Sequence, residues 1–246
     1  MQSNTMTAAI AAVKSEFSIE TDDRPDLVRE AYRLRYQVYC LERNYEASEG
    51  GIETDDFDHR SRHVVLRHRE SGIVIGTVRL VLMYPAAPDD SFPLQRVCDW
   101  SFLSRASLPD VAEISRFAIS KDLRIGSPAA QGLLRLSLVR GLVQLSGELG
   151  LTHWCALMEP TLLRLLRSTA MHFEAVGPLV EHHGKRQPSF TSLEAFLGHV
   201  QRDQPAIWDF VTDGGKLWTS PAAARAITAV DAMSDYPDYG AMALSA

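Results

Sequence analysis

Residues 63–83 read HVVLRHRESGIVIGTVRLVLM, two apolar runs separated by Ser71-Gly72. Strand-like runs joined by a short glycine-containing turn predict a β-hairpin, and the rest of the chain can be laid around it. Upstream, Leu27, Ala31, Leu34, Val38 and Leu41 recur at three- and four-residue steps, the period of a helix with one buried face. Pro25 suits its first turn, and Asp22 and Asp23 are candidate caps. Downstream, AEISRFAIS (112–120) alternates as a strand and the Leu/Val-rich segment 128–149 predicts a largely buried helix. LTHWCALM (151–158) is a strand, EPTLLRLLRST a helix with Pro160 in its first turn, and FEAVGPLVEHHG a strand broken at Gly177-Pro178. The segment 84–110 reads as loop with one helical turn, and a further helix is expected around 192–202. The order predicts an α/β (α+β) fold, a mixed central sheet with helices on both faces. We expect a flexible arm over 1–20 and one domain over 21–225, with a C-terminal helical extension from about 185. A loose Ala-rich tail over 226–246 completes the expected organisation.

Hydrophobic residues make up 46% of the 246, enough for a sizeable core, and 31 acids against 25 bases give a net charge of −6. That balance argues against general nucleic-acid binding, which needs a basic excess. Cys40, Cys98 and Cys155 are distant and odd in number, with no C-x-x-C pair, so a reducing, cytoplasmic setting is expected. The N-terminal stretch lacks a basic start and a long apolar run, and IVIGTVRLVLMY is too short to span a bilayer, so no stable membrane insertion is expected.

GIETDDFD (51–58) places four carboxylates in six residues just before the hairpin. A calcium loop is the wrong reading, because no central glycine and no closing glutamate follow at EF-hand spacing. A solvated loop and an ion-pair network remain. Arg79 inside a hairpin strand, Arg116 inside the next strand and Arg35 on the helix flank favour the network. An unpaired buried charge is costly, and Glu53, Asp55, Asp58 and Glu113 are the available carboxylates, with Asp56 left to solvent. His182-His183 lacks a third ligand at useful spacing, so no metal is expected.

LRYQVY (34–39), ETDDFD (53–58), GTVRL (76–80) and EISRF (113–117) resemble, in order and separation, motifs of the acyl-homoserine-lactone (autoinducer) synthases. These lie within the GCN5-related N-acyltransferase superfamily, the GNAT fold, and the chain also resembles the related N-acyl amino acid synthases. EHHGKRQPSF and PAIWDFVTDGG look most like the branch associated with the PEP-CTERM/exosortase system, and the likeness spans roughly residues 25–220. It implies that Arg35 and Tyr39 are pocket residues and that Glu53, Asp55 and Asp58 form an E-x-D-x-x-D pattern. Arg79, Glu113, Ser115 and Arg116 would complete the polar cluster. Autoinducer synthases usually carry a tryptophan ten residues after the helix arginine; here Tyr45 stands there, which fits an amino-acid acceptor better than S-adenosylmethionine.

The turn LRIGSPA (123–129) is a shortened form of the glycine-rich turn that holds coenzyme A pyrophosphate in this superfamily. The resemblance therefore implies an acyl carrier protein phosphopantetheine thioester as donor, with acyl-CoA as the alternative and no permanently bound cofactor. Lys121, Arg124, Arg135 and Arg140 are candidates for docking the acidic carrier. Amide formation needs a base for the amine, polarisation of the thioester carbonyl and a dry acyl pocket. Glu113 is the preferred base, acting through a water, with Glu53 its rival. The backbone N–H of Phe117 or Ala118 would donate to the oxyanion, and Trp154 and Met158 would line the acyl tunnel.

Overall fold

The computed structural model of the protein describes residues 2–45, 48, 50–121 and 128–219, with 2–5 and 128–132 as helix backbone alone. The turn carrying Arg124 and the tail 226–246 lie outside them. Helix α1 (Gln2–Glu16) runs into strand β1 (Phe17–Glu20), followed by helix α2 (Pro25–Arg35). The hairpin is β2 (Ser61–His68) with β3 (Val74–Leu82), and β4 spans Val111–Ile119. Helix α3 (Pro128–Glu148), β5 (His153–Met158) and helix α4 (Pro160–Ser168) come next. Two short strands, β6 (Glu174–Ala175) and β7 (Val180–Glu181), precede β8 (Lys185–Ser192), α5 (Leu193–Asp203) and α6 (Pro205–Thr212). The sheet order is β1-β2-β3-β4-β5-β8-β6, with β7 also paired to β8. Its neighbours are antiparallel except β4 and β5.

Successive side chains of a strand point to opposite faces, and β2 shows what each face carries. Val64 packs in the cluster built on α3, whereas its neighbour Val65 packs with Leu27 and Ala31 of α2. Helices therefore cover both faces, as the sequence predicts. Gly141 lets α3 lie close, because a Cβ there would run into the Val64 side chain.

Three expectations need correction. The first twenty residues are not a loose arm. Val13 and Phe17 are 2% and 3% exposed in the main core, and β1 pairs with β2 from Phe17–His68 to Glu20–Val65. Packing, not periodicity, orders that segment. Residues 185–192 do not begin a helical extension: they form β8, an inner strand between β5 and β6. Pro188, which argues against a strand on sequence, is accommodated while its carbonyl accepts from Val176 N–H at 3.0 Å. The helices of the extension start at Leu193. Finally, Asp22 does not cap α2; it accepts from Arg24, and Pro25 opens the helix.

Two irregularities shape the site. Beyond Arg35 the helix widens into a π-helix, Tyr36–Glu42, with Arg43 N–H donating to the Val38 carbonyl at 3.1 Å, a geometry that often marks functional sites. In β4, the register with β3 passes from Arg79–Ser115 to Thr77–Ala118, so a bulge holds Arg116 and Phe117. Arg116 sits there at φ 52°, a left-handed conformation that L residues adopt at a cost.

Candidate active site

The acidic loop folds onto the three arginines. Glu53 N–H donates to the Tyr32 carbonyl of α2 at 3.1 Å, and Asp55 N–H donates to Asp58 Oδ2 at 2.8 Å, fixing the loop's shape. Arg35 then forks between carboxylates, its Nε donating to Glu53 and its Nη1 to Asp58 Oδ1 at 2.6 Å. Arg79 binds Asp55 through both Nη atoms at 2.7 Å, adds Asp58, and donates through Nε to Ser115 Oγ at 2.8 Å. Arg116 reaches Glu53 Oε1 at 2.9 Å and Asp55 Oδ2 at 3.0 Å. Arg35 and Arg79 are fully buried. Three guanidinium groups thus meet three carboxylates in one charge-balanced cluster, the arrangement in which buried charge is tolerated. Asp56 stays outside it, 81% exposed beside Arg96, as the sequence predicts. Behind Asp58 lie His63, with Nε2 at 3.5 Å, and Tyr32, whose ring meets that imidazole edge-on.

Glu113 is treated differently. Among the described residues its Oε2 accepts only a backbone N–H, that of Leu94, at 2.9 Å. Burial pushes its carboxyl from the ordinary 4.5 to about 8, despite the Leu94 bond and the charges of Arg79 and Arg116. For Glu53, burial also pulls upward, but Arg35 and Arg116 outweigh it and hold the group below its usual range. The two candidate bases are therefore set apart by their surroundings, and only Glu113 is poised near neutrality. Burial raises Cys98 to about 11 and Cys155 well above its usual value, so neither is a ready nucleophile.

The parallel pairing of β4 with β5 covers only Val111–Glu113 against His153–Cys155, although both strands continue. Past Glu113 they diverge, and a cavity of about 750 Å3 opens on the α3 side. Its buried wall is apolar, with Trp154, Met158, Leu142 and Phe196 among the lining residues. Its more exposed lining is cationic: Arg43, Arg116, Lys121, Arg135 and Arg186, with Glu159 between two of them. Tyr39, Ser115 and Phe117 line it where the bulge turns, and the Tyr39 hydroxyl donates to the Phe117 carbonyl at 3.4 Å. Tyr45 stacks on His183 at 5.7 Å. Glu113 does not line the cavity; it is the last paired residue at the head of the gap.

Residues 34–134 match the model of a family described as an acetyltransferase (GNAT) domain. That stretch carries a GNAT acyltransferase domain. This domain shares its fold with the acyl-homoserine-lactone synthase LasI, at TM-score 0.55 and 17% identity over 74% of this chain and 95% of that one. The CoA-dependent acyl-homoserine lactone synthase BjaI, solved with SAM and isopentyl-CoA, gives TM-score 0.56 and 20% identity over 87% and 99%. FeeM, an N-acyl amino acid synthase from uncultured soil microbes, gives TM-score 0.54 and 15% identity over 76% and 97%. No curated protein matches the sequence.

Within this acyltransferase domain, the predicted residues Arg35, Glu53, Asp55, Asp58, Arg79, Ser115 and Arg116 meet in one cluster. Tyr39, Phe117, Trp154, Met158, Lys121 and Arg135 meet at the cavity. Arg140 does not belong with them. It donates to the Phe210 carbonyl at 2.6 Å and to Asp213 at 3.0 Å, which ties α3 to α6 and removes it as a carrier-docking candidate. Arg43, Glu159 and Arg186 were not anticipated. Arg43 stands four residues past Tyr39 on the same wide turn, and Arg186 hides in the strand that Pro188 disguised. Among the described residues no three His, Cys, Asp or Glu side chains gather as a metal site, and no helix is long and apolar enough to cross a membrane.

The two carboxylate classes give opposite pH limbs. Burial opposes ionisation of Glu53, Asp55 and Asp58, but arginine partners, joined at Asp58 by His63, hold all three below their ordinary values. Their stabilisation is present above about pH 4 and is lost as pH falls below it. Glu113 stabilises the fold fully below 4.5, and that contribution is lost as pH rises through about 8. Urea midpoints measured from about pH 3 to 9 are expected to rise to a maximum near pH 5 and then decline. Loss of the alkaline decline in Glu113→Gln would assign it, and a wild-type profile flat from about pH 5 to 9 would refute the raised Glu113 value.

Proposed function

We propose that the domain transfers a fatty acyl group, long enough to fill the apolar wall, from an acyl carrier protein thioester to the amine of an amino acid. The observation that carries this reading is an apolar cavity opening at the strand gap headed by Glu113, whose buried carboxyl is raised toward neutrality. The acyl chain lies along Trp154 and Met158. The amine nitrogen attacks the thioester carbonyl, and its proton passes through a water to Glu113. The oxyanion accepts from the Phe117 N–H in the bulge. Collapse breaks the C–S bond and forms the amide, and the departing thiolate takes up the proton, leaving an N-acyl amino acid and the carrier thiol.

Lys121 and Arg135 would meet the acidic carrier, and the cytoplasm is the proposed setting of the reaction. Acyl-CoA is the alternative donor, since BjaI is CoA-dependent. The ion-pair cluster holds Arg116 and Ser115 at the cavity wall, with Arg35 and Asp58 as its anchors. The amino-acid acceptor is supported by Tyr45 and by the fold shared with FeeM, and the PEP-CTERM/exosortase-associated branch is its proposed setting. Synthesis of an acyl-homoserine lactone is the second reading, favoured by the fold shared with LasI and BjaI.

Purified protein incubated with acyl carrier protein and CoA thioesters, a pool of amino acids and S-adenosylmethionine separates these readings by mass spectrometry. N-acyl amino acids are expected. An N-acyl lactone would replace the acceptor, and the absence of any acylated amine would leave a non-catalytic binder of acyl carriers or lipid signals.

A further inference from the structure

The cationic lining of the cavity contains a second charge cluster that the acyl chemistry does not use. Glu159, at the start of α4, accepts from Arg43 Nη1 at 2.9 Å, and the same oxygen lies 3.4 Å from Arg186 Nη2. Three elements are bridged in this way: the π-helix end, the β5–α4 junction and β8. Unlike the cluster around Arg79, this one is unbalanced among the described residues, with two guanidinium groups against one carboxylate. Arg186 is the less satisfied partner. Its side chain is 13% exposed, and its described polar contacts are the long one to Glu159 and the neighbouring Lys185 carbonyl at 3.2 Å. A guanidinium carries five N–H donors in a fixed fork that matches a carboxylate. A largely buried one on a cavity wall is set up for an anion.

We propose that Arg186, braced by Glu159 and Arg43, binds the α-carboxylate of the acceptor amino acid. This rests on the acceptor reading above and extends it by naming the group that recognises the acid. Position favours the acceptor over the donor's phosphate. Lys121 and Arg135, just past β4 and on α3, form the donor side. Arg186 lies toward the amine side, where the Arg116 and Arg186 charges both bear on the half-buried His182 ring. The Gly184 turn that precedes Arg186 carries His183, whose ring packs on Tyr45, so the hairpin is anchored where the acceptor would enter.

The test uses steady-state kinetics with an acyl carrier protein thioester, an accepted amino acid and the primary carboxamide of that amino acid. Wild-type enzyme is expected to prefer the acid roughly ten- to a hundredfold in kcat/KM, the range of one charge-assisted hydrogen bond. Arg186→Gln should raise KM for the acid by a similar factor and abolish the preference, with KM for the thioester unchanged. Arg186→Lys, which keeps the charge and loses the fork, should fall between, and it carries the test if the glutamine variant does not fold. Equal use of acid and carboxamide by the wild type overturns the proposal. So does a rise in thioester KM alone, which would move the arginine to the donor phosphate. A wild type that acylates no α-amino acid removes the acceptor reading, and this inference with it; acid acylation unaffected by either variant removes the inference alone.

Discussion

Arg79→Ala is expected to lower the melting temperature by roughly 10 °C and to abolish acyl transfer with it. The side chain is fully buried and ties Asp55, Asp58 and Ser115 together. Truncation leaves Arg116 as the remaining arginine on Asp55 and Arg35 as the remaining arginine on Asp58, while a cavity replaces the guanidinium. Breaking one partner out of a buried charge cluster costs about 3–5 kcal/mol, a large share of the stability of a domain this size. Arg79→Lys should recover part of the loss, since the charge returns without the bidentate grip. Differential scanning fluorimetry reads both variants. An alanine variant that melts with the wild type would mean that the acidic loop does not depend on the strand arginine.

Glu113→Gln is expected to lower kcat by at least about a hundredfold, the lower range for loss of a general base, while acyl-donor binding stays at the wild-type value. Glutamine keeps the shape and can still accept the Leu94 N–H, so the fold should survive. In the wild type, kcat/KM should rise with pH along a limb near 8, where the buried carboxyl loses its proton; the variant should lack that limb. Full turnover by the glutamine variant would remove Glu113 as the base, and weakened donor binding would make it a residue of the pocket instead.

Much of this arrangement can be read from the chain because buried charge is so costly. Arg79 and Arg116 inside strand patterns demand carboxylates, and GIETDDFD supplies them close by in sequence. The hairpin and the strands on either side of α3 follow from periodicity. What escaped the sequence depends on long-range packing. The alternation of β4 gives no hint that Arg116 adopts a left-handed backbone and shifts Phe117 in register. Pro188 disguised β8, and with it Arg186. In the first helix Met6, Ala9, Ile10 and Val13 meet the core at helical spacing, but small and polar neighbours mask that stripe in the sequence. Glu113 shows the limit on the chemical side. Its identity is visible in EISRF, but the raised value comes from burial that only the folded chain provides.

The short first strand bears on how one edge of the sheet is closed. A sheet edge with free N–H and C=O groups invites pairing with another chain. Strand β1 covers β2 with four residues only, and Glu20 at its end is held by Arg67, which also grips Glu30 of α2. The exposed border of the sheet is therefore short and charged. A chain lacking its first twenty residues would present the apolar β2 ladder to its neighbours, and its failing would be self-association before any loss of chemistry.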